Sequence, residues 1–331
     1  MKRIDIISPV YREEEGIPVF HRRMAEVLAP LETRYDLRFI YVVDPSNDGT
    51  ERALEALAVQ DARIQVLVMS RRFGHQLALV AGMDASAGDA VVMLDSDLQH
   101  PPELIFDFVR EWEAGADVVQ ALRVDGAETA GWKRATSAWF YKTFMQVSTV
   151  EMKPGAADFR LLARRVVEVF RSNMTEHNPF LRGLVGWVGF NVRFVSFKPA
   201  ARMVGRTKYR LSTLIDFAIN GVCSFSKMPL RACIYVGAVV AIISVLIGIF
   251  DVVSQFWSGS VVPGWASLFF AVTFLGGLQL LFLGFLGEYV GLIFDEVKNR
   301  PRYIVARRLG TGVAATAVQA ADFNGSTSAR G

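Results

Sequence analysis

Two long runs without a charged residue constrain this chain more than any other feature: Ala232 to Phe250 and Trp265 to Gly287. At about 1.5 Å of rise per helical residue, each is long enough to cross a hydrocarbon core roughly 30 Å thick. Runs this apolar are uncommon in soluble cores, so two membrane-spanning helices are expected, at about 232–253 and 265–287. The stretch between them, DVVSQFWSGSVVPG, has no Lys or Arg, whereas Lys227 and Arg231 precede the first run and Lys298, Arg300, Arg302, Arg307 and Arg308 follow the second. By the positive-inside rule both ends of this hairpin face the cytoplasm.

The remainder of the chain is not membrane-like. Over 331 residues the composition is 52% hydrophobic and 21% charged, too apolar for disorder and too charged for a wholly embedded transporter. A soluble unit joined to a membrane anchor is the reading that fits both figures. A net charge of +3 makes no case for a nucleic-acid partner. Cys223 and Cys233 show neither CxxC nor Cys/His ligand spacing and read as packing residues. The opening MKRIDIISPVYREEEG passes from a short β-like run into charge and is not a cleavable signal, so the first 225 or so residues are expected to be cytosolic.

Within that unit, short β-branched runs alternate with helical patterns: IDIIS, RFIYVV, IQVLVM, AVVMLD and DVVQAL, with helices expected from about Ile17, from about Thr50, over QLALVAGMDASA and after Pro101-Pro102. Alternation of this kind predicts a mostly parallel, Rossmann-like α/β sheet with helices on both faces. Ligands of such sheets bind beyond the carboxyl ends of the strands, so the polar residues that end each strand become the site candidates. Neither GxxxxGK[ST] nor GxGxxG follows the first strand, which disfavours Walker-type ATPases and ordinary dinucleotide-binding dehydrogenases.

The strongest chemical signal is VVMLDSDLQHPPE, an apolar strand running into Asp95-Ser96-Asp97. Two carboxylates two positions apart can aim hard oxygens at one divalent cation, Mg²⁺ or Mn²⁺, whose other positions stay open for water and phosphate oxygens. That arrangement suits a nucleoside diphosphate. Pro9 and Tyr11 end the first strand and Asp44 the second, where a carboxylate can accept from a base or ribose hydroxyl. Asp48-Gly49-Thr50 reads equally well as a turn and helix cap, and Glu13 to Glu15 as an acidic first turn. Between Ser196 and Ile215 lie Lys198, Arg202, Arg206, Lys208 and Arg210 with no acidic residue. At headgroup depth such cations can pair with a lipid phosphate or a departing diphosphate. Leu211, Leu214, Ile215, Ala218, Ile219, Val222 and Phe225 then draw one apolar stripe, either a helix packed on the soluble unit or an amphipathic helix lying in the interface.

Taken in order, SPVYREEE, VVDPSNDGT, SRRFGHQLALVAGMDASAGD, LDSDLQHPPE, DFRLL, FLRGLVGWVGF, GRTKY and GEYVGLIFDEVKNRPRYIV resemble glycosyltransferase family 2. Within it the chain resembles the polyprenyl-phosphate glycosyltransferases, the bactoprenol glucosyltransferases most and the dolichol-phosphate mannose synthases more distantly. The resemblance implies a GT-A fold, a nucleotide-sugar donor, a divalent cation and an inverting transfer to a lipid phosphate. One departure is clear: the usual DDGSxD is Val43-Asp44-Pro45-Ser46-Asn47-Asp48 here.

Matched residue by residue, the resemblance puts Asp95, Ser96 and Asp97 on the metal and donor diphosphate, with Asp97 the most direct ligand. It puts Pro9, Tyr11, Glu13 and Asp44 around the nucleotide, and His75 and Gln76 near the donor. Asp158 matches the acceptor-side carboxylate, either a base or a group that positions the acceptor or its cationic partners. A phosphate oxyanion is already a nucleophile, which lessens the need for a base. Lys133, Arg134 and Ser137 resemble the acceptor-phosphate site of the mannose synthases, with Arg123 beside them, and Arg202, Arg206 and Lys208 extend it. His21, His100 and His177 lack ligand spacing and read as ordinary residues.

The resulting expectation is a GT-A catalytic unit over 1–210, an interfacial helix and linker over 211–229, two spans within 230–296, and a basic tail over 297–331 that is disordered after about 310. The expected activity is transfer of one hexose, UDP-glucose favoured, to undecaprenyl phosphate at the cytosolic face of the inner membrane. The expected partners are the donor, the polyprenyl phosphate and the bilayer, with contacts between protomers through the spans, a homo-oligomer, left open. Its rivals are a processive polysaccharide synthase, for which two spans are too few and LRGLVGW lacks Q/RxxRW, and a non-catalytic nucleotide-binding scaffold, against which the intact Asp95-Ser96-Asp97 argues.

Overall fold

The computed structural model describes residues 1–124, 153, 155–174, 176, 177, 179–198, 228–258 and 264–310. The chain divides into two compact units, one drawing on Met1–Met145, Val150–Tyr209 and Arg300–Gly331, the other on Gln146–Thr149 and Arg210–Asn299.

In the first unit the expected alternation is present: β1 (Lys2–Val10), α1 (Gly16–Leu28), β2 (Tyr35–Val43), α2 (Thr50–Gln60), β3 (Ile64–Met69), α3 (His75–Ala85), β4 (Ala90–Met93), α4 (Leu104–Glu113) and β5 (Val118–Arg123). Then come β6 (Ala156–Ala163), α5 (Arg164–Asn173), α6 (Leu181–Trp187) and β7 (Val192–Phe197). Each helix is placed by an apolar face: Ile17, Phe20, Met24 and Leu28 recur at helical spacing on α1 and are all buried. Leu104, Ile105, Phe108 and Val109 do the same for α4. β1 and β2 are buried along most of their length, as strands covered on both faces must be.

The strands pair in the order β7-β5-β6-β4-β1-β2-β3, with a last strand, β8 (Val305–Leu309), added beyond β3. β1 is parallel to β2 and β4, and β2 to β3, whereas β6 runs antiparallel to both β4 and β5. This is the GT-A-like, mostly parallel α/β sheet that was expected. Strand order reverses between β1 and β4, and the crevice at such a switch point is where open α/β sheets bind ligands. The ends of β1 and β4, with Pro9, Tyr11 and Asp95 to Asp97, flank it.

Two features of the sheet bear on the site. On α3, a Cβ at Gly82 would lie 2.3 Å from Ile7 Cγ2, so only glycine lets the helix sit this close to β1. The second feature lay unseen in the basic tail: β8 (Val305–Leu309) adds antiparallel to β3 and covers what would be an open sheet edge. Residues 311–331, expected to be disordered, lie outside the described residues.

The second unit holds α7 (Met228–Ser258) and α8 (Trp265–Val297), helices about 46 and 50 Å long by their residue count. Among the described residues one stretch, Phe274–Val297 of α8, is long and apolar enough to cross a membrane, and the apolar stretch of α7, Cys233–Ser244, is shorter. The expected pair of spans at 232–253 and 265–287 is therefore met by one candidate, displaced toward the end of α8. The helices approach each other at Gly237, where a Cβ would stand 3.8 Å from the Phe282 ring. Large apolar side chains such as Leu246, Phe250, Leu280 and Ile293 are otherwise exposed, a surface that requires an apolar surrounding. The expected interfacial helix over 211–225 lies outside the described residues.

Candidate functional site

Residues from the ends of five strands converge at the switch point. Ser96 is buried and donates its hydroxyl to the Pro9 carbonyl at 3.1 Å, which ties the turn after β4 to the end of β1. Asp97 accepts the Gln99 N–H at 3.1 Å through one carboxylate oxygen, a local turn that Leu98 closes with φ +58°. Asp95 accepts from His75 Nε2 at 2.6 Å, and its own N–H faces His100 Nδ1 at 3.4 Å. The two strand-end acids are thus turned by neighbouring groups and not splayed into solvent.

Asp44 is buried, and its two carboxylate oxygens accept the N–H groups of Phe73 (3.0 Å) and Gly74 (2.8 Å). It was expected at the nucleotide; in the structure it also clamps the loop entering α3, where Gly74 takes φ +92°, a conformation a side chain rarely adopts. That clamp delivers His75 and Gln76. Gln76 Nε2 lies 3.3 Å from His75 Nδ1, which sets the ring so that Nε2 faces Asp95. At its other end Gln76 Oε1 accepts the Leu181 N–H at 3.2 Å, so the residue expected to contact the donor links α3 to α6.

Asp158, on β6, is 6% exposed and holds two guanidiniums. Arg160 reaches it at 2.6 Å, while Arg182 places Nε at 3.0 Å from one oxygen and an NH₂ group at 2.7 Å from the other. Burial opposes its charge, and the two arginines more than reverse that effect, holding its carboxyl well below the usual range. Arg160 is wholly buried and also donates to the carbonyls of Leu181 and Ala157. The Arg182 side chain is 36% exposed.

The electrostatics join the two halves. Partial burial lowers the proton affinity of His75, but the Asp95 hydrogen bond and the charges of Asp95 and Asp158 outweigh it, and the net shift is upward despite Arg182 nearby. Burial likewise disfavours ionised Asp95, yet the His75 hydrogen bond and the charges of His75 and His100 hold its carboxyl below the ordinary value. His100, expected to be an ordinary residue, stacks on Phe159 with centroids 5.1 Å apart and senses Asp95, Asp97, Asp158 and Arg123. Burial wins there, and its pKa falls.

Other expected residues are more peripheral. Tyr11 is covered by Arg72, whose guanidinium is 4.1 Å from the ring centroid. Glu13 donates its N–H to Thr50 Oγ1 at 2.9 Å, and Asp48 accepts from the Thr50 hydroxyl at 2.8 Å, the turn-and-cap reading of that segment. Arg123 ends β5 with its N–H on the Gly155 carbonyl. His21 and His177 lie in separate contacts, with Tyr41 and Asp61 and with the Arg300 carbonyl. Lys133, Arg134, Ser137, Arg202, Arg206 and Lys208 lie outside the described residues.

Among the described residues no group of three or more His, Cys, Asp or Glu could hold a metal by itself. Asp95 and Asp97 still fit a divalent ion of the Mg²⁺ type, which takes one or two carboxylates and fills its other positions with water and substrate phosphates. Arg160, Arg182 and His100 are the residues the motifs did not single out. Arg160 carried a signal: two positions from Asp158 in an apolar strand, it shares that residue's face of the sheet. Nothing in LRGLVGW marks Arg182, which meets Asp158 only through the packing of α6 on β6.

The sequence pattern of glycosyl transferase family 2 matches residues 5–170. The SfII prophage-derived bactoprenol glucosyl transferase of Shigella flexneri is 41% identical over 307 residues, covering 92% of this chain and 98% of its own. The prophage bactoprenol glucosyl transferase homolog of Escherichia coli K12 is 39% identical over 305 residues, with coverage of 92% and 99%. Among solved structures, a glucosyl-3-phosphoglycerate synthase from Mycobacterium tuberculosis aligns over 67% of this chain and 76% of its own, with 20% identity and a TM-score of 0.43.

Proposed function

For a chain that belongs to glycosyl transferase family 2, and is therefore a glycosyltransferase, we propose a specific reaction: transfer of one glucosyl residue from UDP-glucose to undecaprenyl phosphate, with inversion. The observation that carries the acceptor and the sugar is the likeness, along nearly their whole length, to proteins named bactoprenol glucosyl transferases. Bactoprenol is undecaprenol, and its phosphate is confined to a membrane. The exposed apolar surface of α7 and α8 supports the same setting, and we propose that both helices span the inner membrane as a hairpin with the catalytic unit and both termini cytoplasmic.

In this reading the crevice between the ends of β1 and β4 takes the donor. Pro9, Tyr11, Glu13 and Asp44 surround the nucleotide, and Asp44 acts chiefly by holding the Phe73–Gly74 amides. A divalent ion held by Asp95 and Asp97 would neutralise the donor diphosphate and ease its departure. His75 keeps Asp95 ionised and oriented. Attack comes from a phosphate oxygen of the acceptor, in line with the bond from the anomeric carbon to the diphosphate, so the sugar inverts once. The basic residues Arg123, Lys133, Arg134, Arg202, Arg206 and Lys208, with Ser137, are proposed for the acceptor phosphate.

The test is direct: membranes holding the protein are incubated with undecaprenyl phosphate and a panel of radiolabelled nucleotide sugars, and the lipid is extracted. Label from UDP-glucose alone is the expected result. Label from another sugar changes the donor, and none in any lipid sinks the acceptor.

A further inference from the structure

We infer that Arg182 is the catalytic residue that meets the acceptor phosphate, and that Asp158 is a positioning residue which holds that guanidinium in place and takes no proton from the acceptor. The inference rests on the polyprenyl-phosphate reading above and deepens it.

Three observations carry it. Asp158 presents both oxygens to arginine: Arg160 and Arg182 Nε share one, and the Arg182 NH₂ group occupies the other at 2.7 Å. A carboxylate paired on both oxygens and 6% exposed is poorly placed to receive a proton from an incoming group. Its two partners are not equivalent. Arg160 is sealed in the sheet, tied to the Leu181 and Ala157 carbonyls, and serves as a buried countercharge. Arg182 is 36% exposed, so of the pair it alone can reach a substrate while staying anchored.

Charge balance points the same way. Two guanidiniums sit against one carboxylate, and the Leu181 N–H beside Arg182 bonds Gln76, the neighbour of the His75 that faces Asp95. That suits a phosphate monoester approaching a diphosphate, since two anions must be brought together. Arg can bind phosphate oxygens through a fork of N–H donors.

The chemistry needs nothing more from Asp158. The bond that forms joins an acceptor phosphate oxygen to the anomeric carbon; the bond that breaks joins that carbon to the donor diphosphate, which keeps the electron pair. A phosphate monoester has its second pKa at about 6, so at neutral pH it is mostly the dianion and its attacking oxygen has no proton that a base must remove. Atoms and charge balance without a base.

The test uses the full-length protein in membranes. For wild type, Asp158→Asn, Arg182→Lys and Arg182→Ala, donor affinity is measured by calorimetry, and kcat and KM with undecaprenyl phosphate across pH. Expected are donor affinity within about 3-fold of wild type in every variant, and a kcat/KM loss of about 100-fold or more in Arg182→Ala, partly restored by added guanidinium and smaller in Arg182→Lys. Asp158→Asn should lower kcat/KM while leaving the shape of the pH profile unchanged. The inference is overturned if Arg182→Ala transfers like wild type, if Arg182→Lys loses donor binding, or if Asp158→Asn removes an acid limb present in wild type. Each of those leaves the proposed function standing, whereas a wild type silent with undecaprenyl phosphate overturns that function and the inference with it.

Discussion

Tyr303 donates its hydroxyl hydrogen to Asp84 at 2.7 Å, fastening the chain that follows the long apolar helices to the helix that carries His75 and Gln76. Arg302 adds a contact to the same carboxylate at 3.4 Å and another to the Met174 carbonyl, and β8 then closes the sheet edge. The last described segment is therefore part of the catalytic unit, built against the back of α3 while the front of α3 faces Asp95.

Tyr303→Phe should lower stability by about 1 kcal/mol, the usual cost of a hydrogen bond lost from a partly buried carboxylate. Burial already raises the Asp84 pKa, and the Tyr303 hydrogen bond opposes that rise. Denaturation of the purified protein reads the change, and an unaltered midpoint would show that β8 pairing alone holds the segment.

Asp44→Ala should weaken donor binding and cost about 2 kcal/mol of stability, because two loop amides lose their acceptor and Gly74 is free to leave its positive φ. Calorimetry with UDP beside a denaturation curve separates the two losses. Full donor affinity in this variant would mean the loop is held by something else.

Asp97→Asn should abolish transfer and weaken donor binding in the presence of Mg²⁺ or Mn²⁺, since an amide does not supply the charge that offsets a divalent ion. A chelator should reproduce the effect in wild type. Turnover that survives both treatments would remove Asp95 and Asp97 from a metal role.

Acid should destabilise the catalytic unit in two stages. His21 is buried between Tyr41 and Asp61, and burial lowers its pKa from 6.5, Asp61 only partly opposing it. The unfolded chain then binds a proton first, so stability falls as pH drops below 6.5. The Asp61 carboxyl, disfavoured by burial but held down to about 2 by Arg63 and His21, contributes stability above 3.8 that is lost as pH approaches 2. His21→Gln should flatten the first stage and keep most of the second, which Arg63 chiefly sets, as unfolding curves between about pH 7 and 2 would display. An unchanged slope near pH 6 would assign the first stage elsewhere.

The proposed hairpin predicts that, with Cys223 and Cys233 replaced by Ser, a cysteine at Ser258 reacts with an impermeant reagent from the periplasmic side. One at Ser328 should react only after the inner membrane is opened. Equal access to both would rule out a membrane hairpin of this orientation.

How much of this was legible in one dimension follows from the range of the forces involved. Local signals are enough for the alternating α/β order, the strand that delivers Asp95-Ser96-Asp97 and the apolar character of residues 232–297, because periodicity and strand-end polarity need no distant partner. The ordered motifs also carried the family. The partners of each charge were decided by the tertiary structure. Asp158 and Arg182 lie 24 residues apart and meet through the packing of α6 on β6, and Asp44 meets Gly74 only because parallel pairing puts the ends of β2 and β3 side by side. His100 looked ordinary for the same reason: its neighbours come from β4, β6 and β7. The tail reads only as basic, since Arg307 and Arg308 mark charge and carry no sign of the edge at β3, 236 residues or more earlier in the chain, whose unpaired backbone groups β8 satisfies. Burial and pairing between distant segments decide what a charge does, and no stretch of sequence contains both partners.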